Sequence, residues 1–218
     1  MTRENRRGKR KTRDQRIKRK LPELGYYLIV TDTEATERCY FNCLHEYLPE
    51  DVRDKIVIKV VETKTAKLVD KCKELTAYDA QYRIPWIVFD RDRVVNFDKI
   101  IKEAENNGIQ VGWSNPCFEI WLFAYYGNMP NIKESFKCCS DFGHTFKNKT
   151  GIEYSKADDK IYSRLIKTGD ELNAIKVAER KLNECKNRGE VKPSEMYPAT
   201  TVHELIKIIK DAVIKENN

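Results

Sequence analysis

Two short apolar runs end in carboxylates, and acids placed in that way can hold a metal ion. The first run, Tyr26–Thr31, leads to Asp32, with Glu34 and Glu37 close behind. The second, Trp86–Phe89, leads to Asp90 and Asp92, with Arg91 between them. Such runs read as buried parallel strands, because helices cover both faces. In open α/β sheets the chemistry gathers beyond the carboxyl ends of the strands. Like charges ~4 Å apart repel by ~1 kcal/mol in water and ~4 kcal/mol near a protein surface, and a hard divalent cation removes that cost. The pattern points to a Mg2+ (or Mn2+) site with Asp32, Glu37, Asp90 and Asp92 as ligands. Arg91 is placed to meet a phosphate. The plainer alternatives are a turn cap at Asp90, a surface ion pair of Asp92 with Arg91, Arg93 or Lys99, and acids that complement a helix dipole at Glu34 and Glu37.

A third element, residues 113–121 (WSNPCFEIW), follows another strand end. Ser114 and Asn115 are polar groups at the same rim, suited to orienting substrate or metal-bound water. Glu119 lies among aromatic residues, which is hard to explain as surface decoration. Ser114 lacks the Gly-x-Ser-x-Gly elbow of a nucleophilic serine. His45 and His144 read as structural, and His203 is the best-placed exception. Tyr154 and Lys156 are candidate phosphate contacts.

These residues need a frame, and the hydrophobic pattern supplies one. Strands are expected at Tyr26–Thr31, Ile56–Val61, Trp86–Phe89 and Gln110–Trp113. Helices are expected at Thr36–Leu48, Thr65–Leu75, Phe97–Asn107 and from Pro116 to Tyr126, Pro suiting the first turn of a helix. The alternation implies an α/β fold with a Rossmann-like, mostly parallel sheet flanked by helices, spanning 23–126. Residues 127–156 read as loop-rich. Asp158–Lys167, Asp170–Asn187 and Thr201–Ile214 read as helices, so 127–218 forms a loop-rich and helical region packed on the core. Thr201-Val-His-Glu204 has the form of a capping box.

The chain has 218 residues, of which 40% are hydrophobic and 34% charged, enough for a core within a soluble protein. No apolar stretch nears the ~20 residues that span a bilayer, so no membrane association is expected. The net charge of +7 is unevenly placed: residues 1–20 carry eleven Lys/Arg against Glu4 and Asp14, giving +9 and leaving −2 for the rest. Residues 1–22 thus form a basic arm expected to be disordered, with Arg6, Arg7, Arg10 and Lys11 available to phosphates. The seven cysteines (39, 43, 72, 117, 138, 139 and 185) form no CxxC pair. Cys39 and Cys43 could make half a metal site, but reduced thiols in a cytoplasmic protein are the simpler reading.

The order of motifs (a basic arm, LIVTDTEATERCYF, WIVFDRD, WSNPCFEIWL and a late YPATTVHEL) resembles the RloB-like family. The resemblance implies a core similar to the TOPRIM domain of topoisomerases, primases and OLD-type nucleases. It also implies Mg2+ binding, nucleic-acid cleavage and a place beside restriction–modification and other phage-defence systems. Carried over by position, the Asp-x-Asp is Asp90 and Asp92, the Thr-Glu pair is Thr36 and Glu37, and the late motif is Pro198, Thr200, Thr201 and His203. Asp32-Thr33 stands where the family has Glu-Gly, and Tyr125 where it often has histidine. Asp is one methylene shorter than Glu, and Thr33 lacks the conformational freedom of Gly.

The expected activity is metal-dependent phosphodiester hydrolysis of RNA such as tRNA, or of DNA. Glu37 or Asp32 would serve as general base or acid, with Glu34 a substitute for Asp32. A defence-system protein partner and a homodimer are further expectations. The rival is a nucleic-acid-binding or sensor protein with a weakened site. Phosphatase or nucleotidyl transfer on small substrates uses the same acids, but needs no long cationic arm.

Overall fold

Strands β1 (Tyr26–Thr31), β2 (Val57–Glu62), β3 (Arg83–Asp90), β4 (Gln110–Asn115) and β5 (Ala199–Thr200) form one sheet, ordered β2-β1-β3-β4-β5. The first four pair in parallel, and β5 runs antiparallel to β4. The computed structural model describes residues 22–32, 35–77, 83–92 and 94–216. The arm bearing Arg6, Arg7, Arg10 and Lys11 lies outside the described residues, as do Thr33, Glu34 and Arg93.

The helices are α1 (Ala35–Tyr47), α2 (Glu50–Arg53), α3 (Leu68–Thr76), α4 (Phe97–Asn106), α5 (Glu119–Ala124), α6 (Ser135–Thr150), α7 (Ile161–Thr168), α8 (Glu171–Asn187) and α9 (Val202–Glu216). Strand side chains alternate between faces, and the sequence is apolar at both parities. Tyr27, Ile29, Trp86 and Val88 join one core with residues of α1, α5, α6, α7, α8 and α9. Leu28, Val30, Ile87 and Phe89 join a second core with α3 and α4, together with Leu182, Cys185 and Met196. Fully burying each such side chain contributes ~1.5–3 kcal/mol. The expected α/β architecture, a mostly parallel sheet flanked by helices, is therefore present, and the segment beyond residue 127 shares a core with the sheet.

Three local expectations are corrected and one element is added. Residues 135–150, read as loop, form helix α6, which buries Cys138, Phe142 and Phe146 along one face and ends at left-handed Gly151 (φ 73°). The helix expected from Pro116 begins at Glu119, Asn115–Pro116 being a cis peptide in the turn before it. Thr201 does not close a capping box. Its hydroxyl donates to the Val111 carbonyl and accepts from the Trp113 amide, both at 2.9 Å, so it is committed to β4 instead. Finally, β5 had no counterpart in the sequence reading. Gly112 matters to this edge: a Cβ there would stand 3.2 Å from Val88 Cγ2 and 3.6 Å from Val202 Cγ2, where α9 begins.

Candidate functional site

Register brings the acids together. Thr31 pairs with Val88, and Asp90 with Ser114, so Asp32 falls level with Phe89, one residue short of Asp90, at the carboxyl edge of the sheet, where the two charges feel each other. Glu37 enters from the first turn of α1 and Glu119 from the first turn of α5. Asp32 and Asp90 are 6% exposed, Glu119 is 1% exposed and Glu37 is fully buried. Asp92 is exposed. A cleft of about 990 Å³ opens over this edge, and Asp32, Asp90, Asp92, Lys99, Cys117 and Cys139 line it.

Burial raises the Asp90 carboxyl well above the ordinary range, and the neighbouring charges of Asp32, Glu119 and Asp92 push it further. Its Oδ2 accepts the Phe118 amide at 3.3 Å, which partly opposes the rise. Glu37 is raised likewise, first by burial and then by Asp90, Asp32 and Glu119. Neither Glu37 oxygen has a hydrogen-bond partner, and only its own backbone amide favours the charged form. An unpaired buried carboxylate is too costly to persist ionised, so it is held as the neutral acid or neutralised by a cation. Orphaned hard oxygens among other acids fit a Mg2+-class ion.

Glu119 is better supported. Its Oε1 accepts the Tyr154 hydroxyl at 2.7 Å. That hydroxyl lies 3.4 Å from Thr36 Oγ1. Tyr154 has one proton and spends it on Glu119, so Thr36 is the donor in the second contact. The chain Thr36–Tyr154–Glu119 ties α1, the segment after α6, and α5 to one another around the acids.

Other residues singled out from the sequence are engaged in contacts of their own. Ser114 Oγ lies 2.9 Å from Thr200 Oγ1, whose own proton goes to the Trp113 carbonyl, so Ser114 donates and fastens β4 to β5. Asn115 Nδ2 donates to the Pro193 and Ser194 carbonyls at 3.2 and 3.3 Å. Arg91 folds back onto its own turn, donating to the Val94 carbonyl at 2.7 Å. His203 is 3% exposed, and burial lowers its imidazole to about 4, leaving it neutral beside Glu179, Lys207 and Lys186.

Sequence reasoning missed two groups. Among the described residues, Cys117, Glu119 and Cys139 form the metal-competent group whose ligand atoms all lie within 4.8 Å of one another, a closeness that no three of Asp32, Glu37, Asp90 and Asp92 reach. Cys117 and Cys139 are 22 residues apart, outside any local spacing rule. Second, Val95 (92% exposed) and Phe136 (88% exposed) stand with Lys99 at the cleft wall. The apolar pair shows in the sequence, but its exposure does not.

A family model described as RloB-like protein matches residues 27–209. The chain belongs to the RloB-like family. The match runs from β1 into α9 and includes Asp32, Glu37, Asp90, Asp92 and Glu119. No curated protein and no solved structure matches the chain. Among the described residues, no helix is long and apolar enough to cross a membrane.

Proposed function

We propose that this RloB-like protein is a metal-dependent, TOPRIM-type nuclease that hydrolyses phosphodiester bonds of RNA, such as tRNA, or of DNA. The observation that carries the reading is Glu37: a fully buried carboxylate, both oxygens unpartnered, surrounded by Asp32, Asp90 and Glu119 beneath an open cleft. Asp32, Glu37 and Asp90 would hold Mg2+ or Mn2+, with Asp92 at the mouth. Bound there, the ion would supply positive charge to phosphoryl oxygens and lower the pKa of water beside it.

The remaining chemistry belongs to the chain. Glu37 keeps a proton while the site is metal-free and would release it to solvent on binding a cation. As the carboxylate it would take a proton from the attacking water and pass that proton to the leaving oxygen. The Phe118 amide fixes Asp90, and Tyr154 fixes Glu119, so neither must reorient during reaction. Phe136 and Val95 offer apolar faces to an unstacked base, and Lys99 offers charge. The arm supplies sequence-independent affinity for the phosphate backbone. Antiphage defence in the cytoplasm, with a protein partner from the same system, is the setting that the family resemblance implies.

The test is purified full-length protein incubated with labelled DNA, RNA and tRNA, with and without Mg2+ or Mn2+. Cleavage is expected only with the metal, and not in an Asp90→Ala/Asp92→Ala variant. Cleavage unchanged in that variant refutes the assignment. Metal-independent binding without cleavage supports the sensor reading instead.

A further inference from the structure

Beside the acids lies a donor set of different chemistry. Cys117 sits in the turn between β4 and α5, and Cys139 in the second turn of α6. Their sulfurs are 3.9 Å apart, and a Glu119 carboxylate oxygen lies within 4.8 Å of both. Both cysteines are free thiols, Cys117 buried and Cys139 partly exposed, and both line the cleft.

The sulfur separation discriminates between uses of the pair. A disulfide needs ~2.05 Å, so the sulfurs would have to close by nearly half their distance. Two thiolates on one tetrahedral zinc, each with a bond of ~2.3 Å, stand ~3.8 Å apart. The observed 3.9 Å therefore matches zinc coordination without movement of either backbone. The donor types agree. Two sulfurs and one carboxylate suit a borderline-soft ion and are poor ligands for Mg2+, which takes oxygen. Tyr154 holds Glu119 Oε1 at 2.7 Å, an outer partner that leaves the second oxygen for the ion.

We propose that Cys117, Cys139 and Glu119 form a zinc-class site on the wall of the acid cleft, separate from the hard-cation site and with its fourth position open to the cleft. An ion there clamps α6 to the β4–α5 turn. It also takes up the Glu119 oxygen that Tyr154 does not hold, which the acid cluster then loses. Zinc is thus a regulatory ligand of this fold, and its binding does not depend on whether the protein is a nuclease.

The experiment is a Co2+ titration of the reduced, metal-stripped full chain. A thiolate-to-cobalt charge-transfer band is expected to saturate at one ion per chain, to disappear on addition of Zn2+, and to persist in excess Mg2+. Cys117→Ser and Cys139→Ser each remove the band, whereas Cys43→Ser retains it. Tyr154→Phe weakens Co2+ binding by about tenfold. Absence of the band in the unaltered chain, or its survival in the Cys117→Ser/Cys139→Ser double variant, overturns the proposal and leaves two packed thiols. Should those variants fail to fold, the unaltered chain still decides. Zn2+, but not Mg2+, must block alkylation of Cys139 as read by mass spectrometry, and alkylation at the metal-free rate overturns the site.

Discussion

Tyr154 donates its hydroxyl to Glu119 at 2.7 Å, although the two residues belong to segments on either side of α6. The bond makes α6 part of the site, because the helix and the chain leaving it carry the phenol to the carboxylate. Tyr154→Phe removes the proton and leaves a buried Glu119 oxygen unsatisfied, which costs ~1–3 kcal/mol. For a chain of this size we expect a melting temperature lower by about 2–4 °C per kcal/mol. Nuclease activity, where measurable, falls with it. Unchanged melting would show that water replaces the phenol without loss.

Glu37 sets the pH dependence of the metal-free protein. Its ordinary value is 4.5, and the folded value is raised. Asp90 behaves likewise, from 3.8. At a pH between the ordinary and raised values the folded chain binds more protons than the unfolded chain, so stability falls as pH rises. This contribution is full below the ordinary values and is lost as pH passes through the raised ones. In a chelating buffer, melting temperature should drop as pH rises from the ordinary carboxyl range through the raised values, and Glu37→Gln should flatten the drop. A flat profile in the unaltered protein would show that Glu37 is already neutralised by other means.

Excess Mg2+ acts in the opposite direction. At 100 times its dissociation constant, an ion bound only by the folded state adds ~2.7 kcal/mol. The gain should be largest at alkaline pH, where the site has given up its protons, and should vanish in Asp90→Asn. Thermal melts across a Mg2+ series read it directly. Equal stabilisation of Asp90→Asn would place the ion elsewhere.

Phe136 is 88% exposed, so removing its ring should leave folding untouched. If it stacks on a base, Phe136→Ala weakens binding of single-stranded nucleic acid by ~1–3 kcal/mol, roughly 5- to 150-fold. Fluorescence anisotropy with labelled oligonucleotides measures this. Identical affinity would mean that the ring meets protein or solvent.

The arm makes a separate electrostatic prediction. If about six of its side chains, Arg6, Arg7, Arg10 and Lys11 among them, neutralise phosphates, log K falls against log salt with a slope of roughly −4 to −5. Deleting residues 2–20 should flatten that slope and weaken binding at low salt. Affinity unaffected by the deletion assigns the arm to another task.

What the sequence made legible was what depends on local pattern. The strands that carry Asp32 and Asp90 are apolar on both faces, and their ends mark where helices must begin. Helix α6 was hidden because Cys138, Phe142 and Phe146 recur every four residues within a stretch otherwise rich in polar side chains and interrupted by Gly143. Strand β5 has two residues and no periodicity to read. Glu119 was legible as an acid among aromatics, but its pairing with Tyr154 was not. The meeting of Cys117 and Cys139 depends on how α6 seats over a turn made earlier in the chain, which no spacing rule encodes. Ser114 and Asn115 look alike at a strand end whether they face a ligand or fasten a neighbouring loop, and the hydrogen bonds place them in the second role.

The fastening of β5 to β4 has a consequence for how the protein is made. Thr200 and Thr201 latch the Trp113 peptide from both sides, and Val202, Leu205, Ile206 and Ile209 cap the core behind it. A ribosome finishes every acid-bearing strand before it reaches this latch. Until then the nascent chain shows an unpaired sheet edge above an uncovered apolar face, the arrangement most open to mispairing. A chain shortened to end at α8 would be held in that half-closed condition.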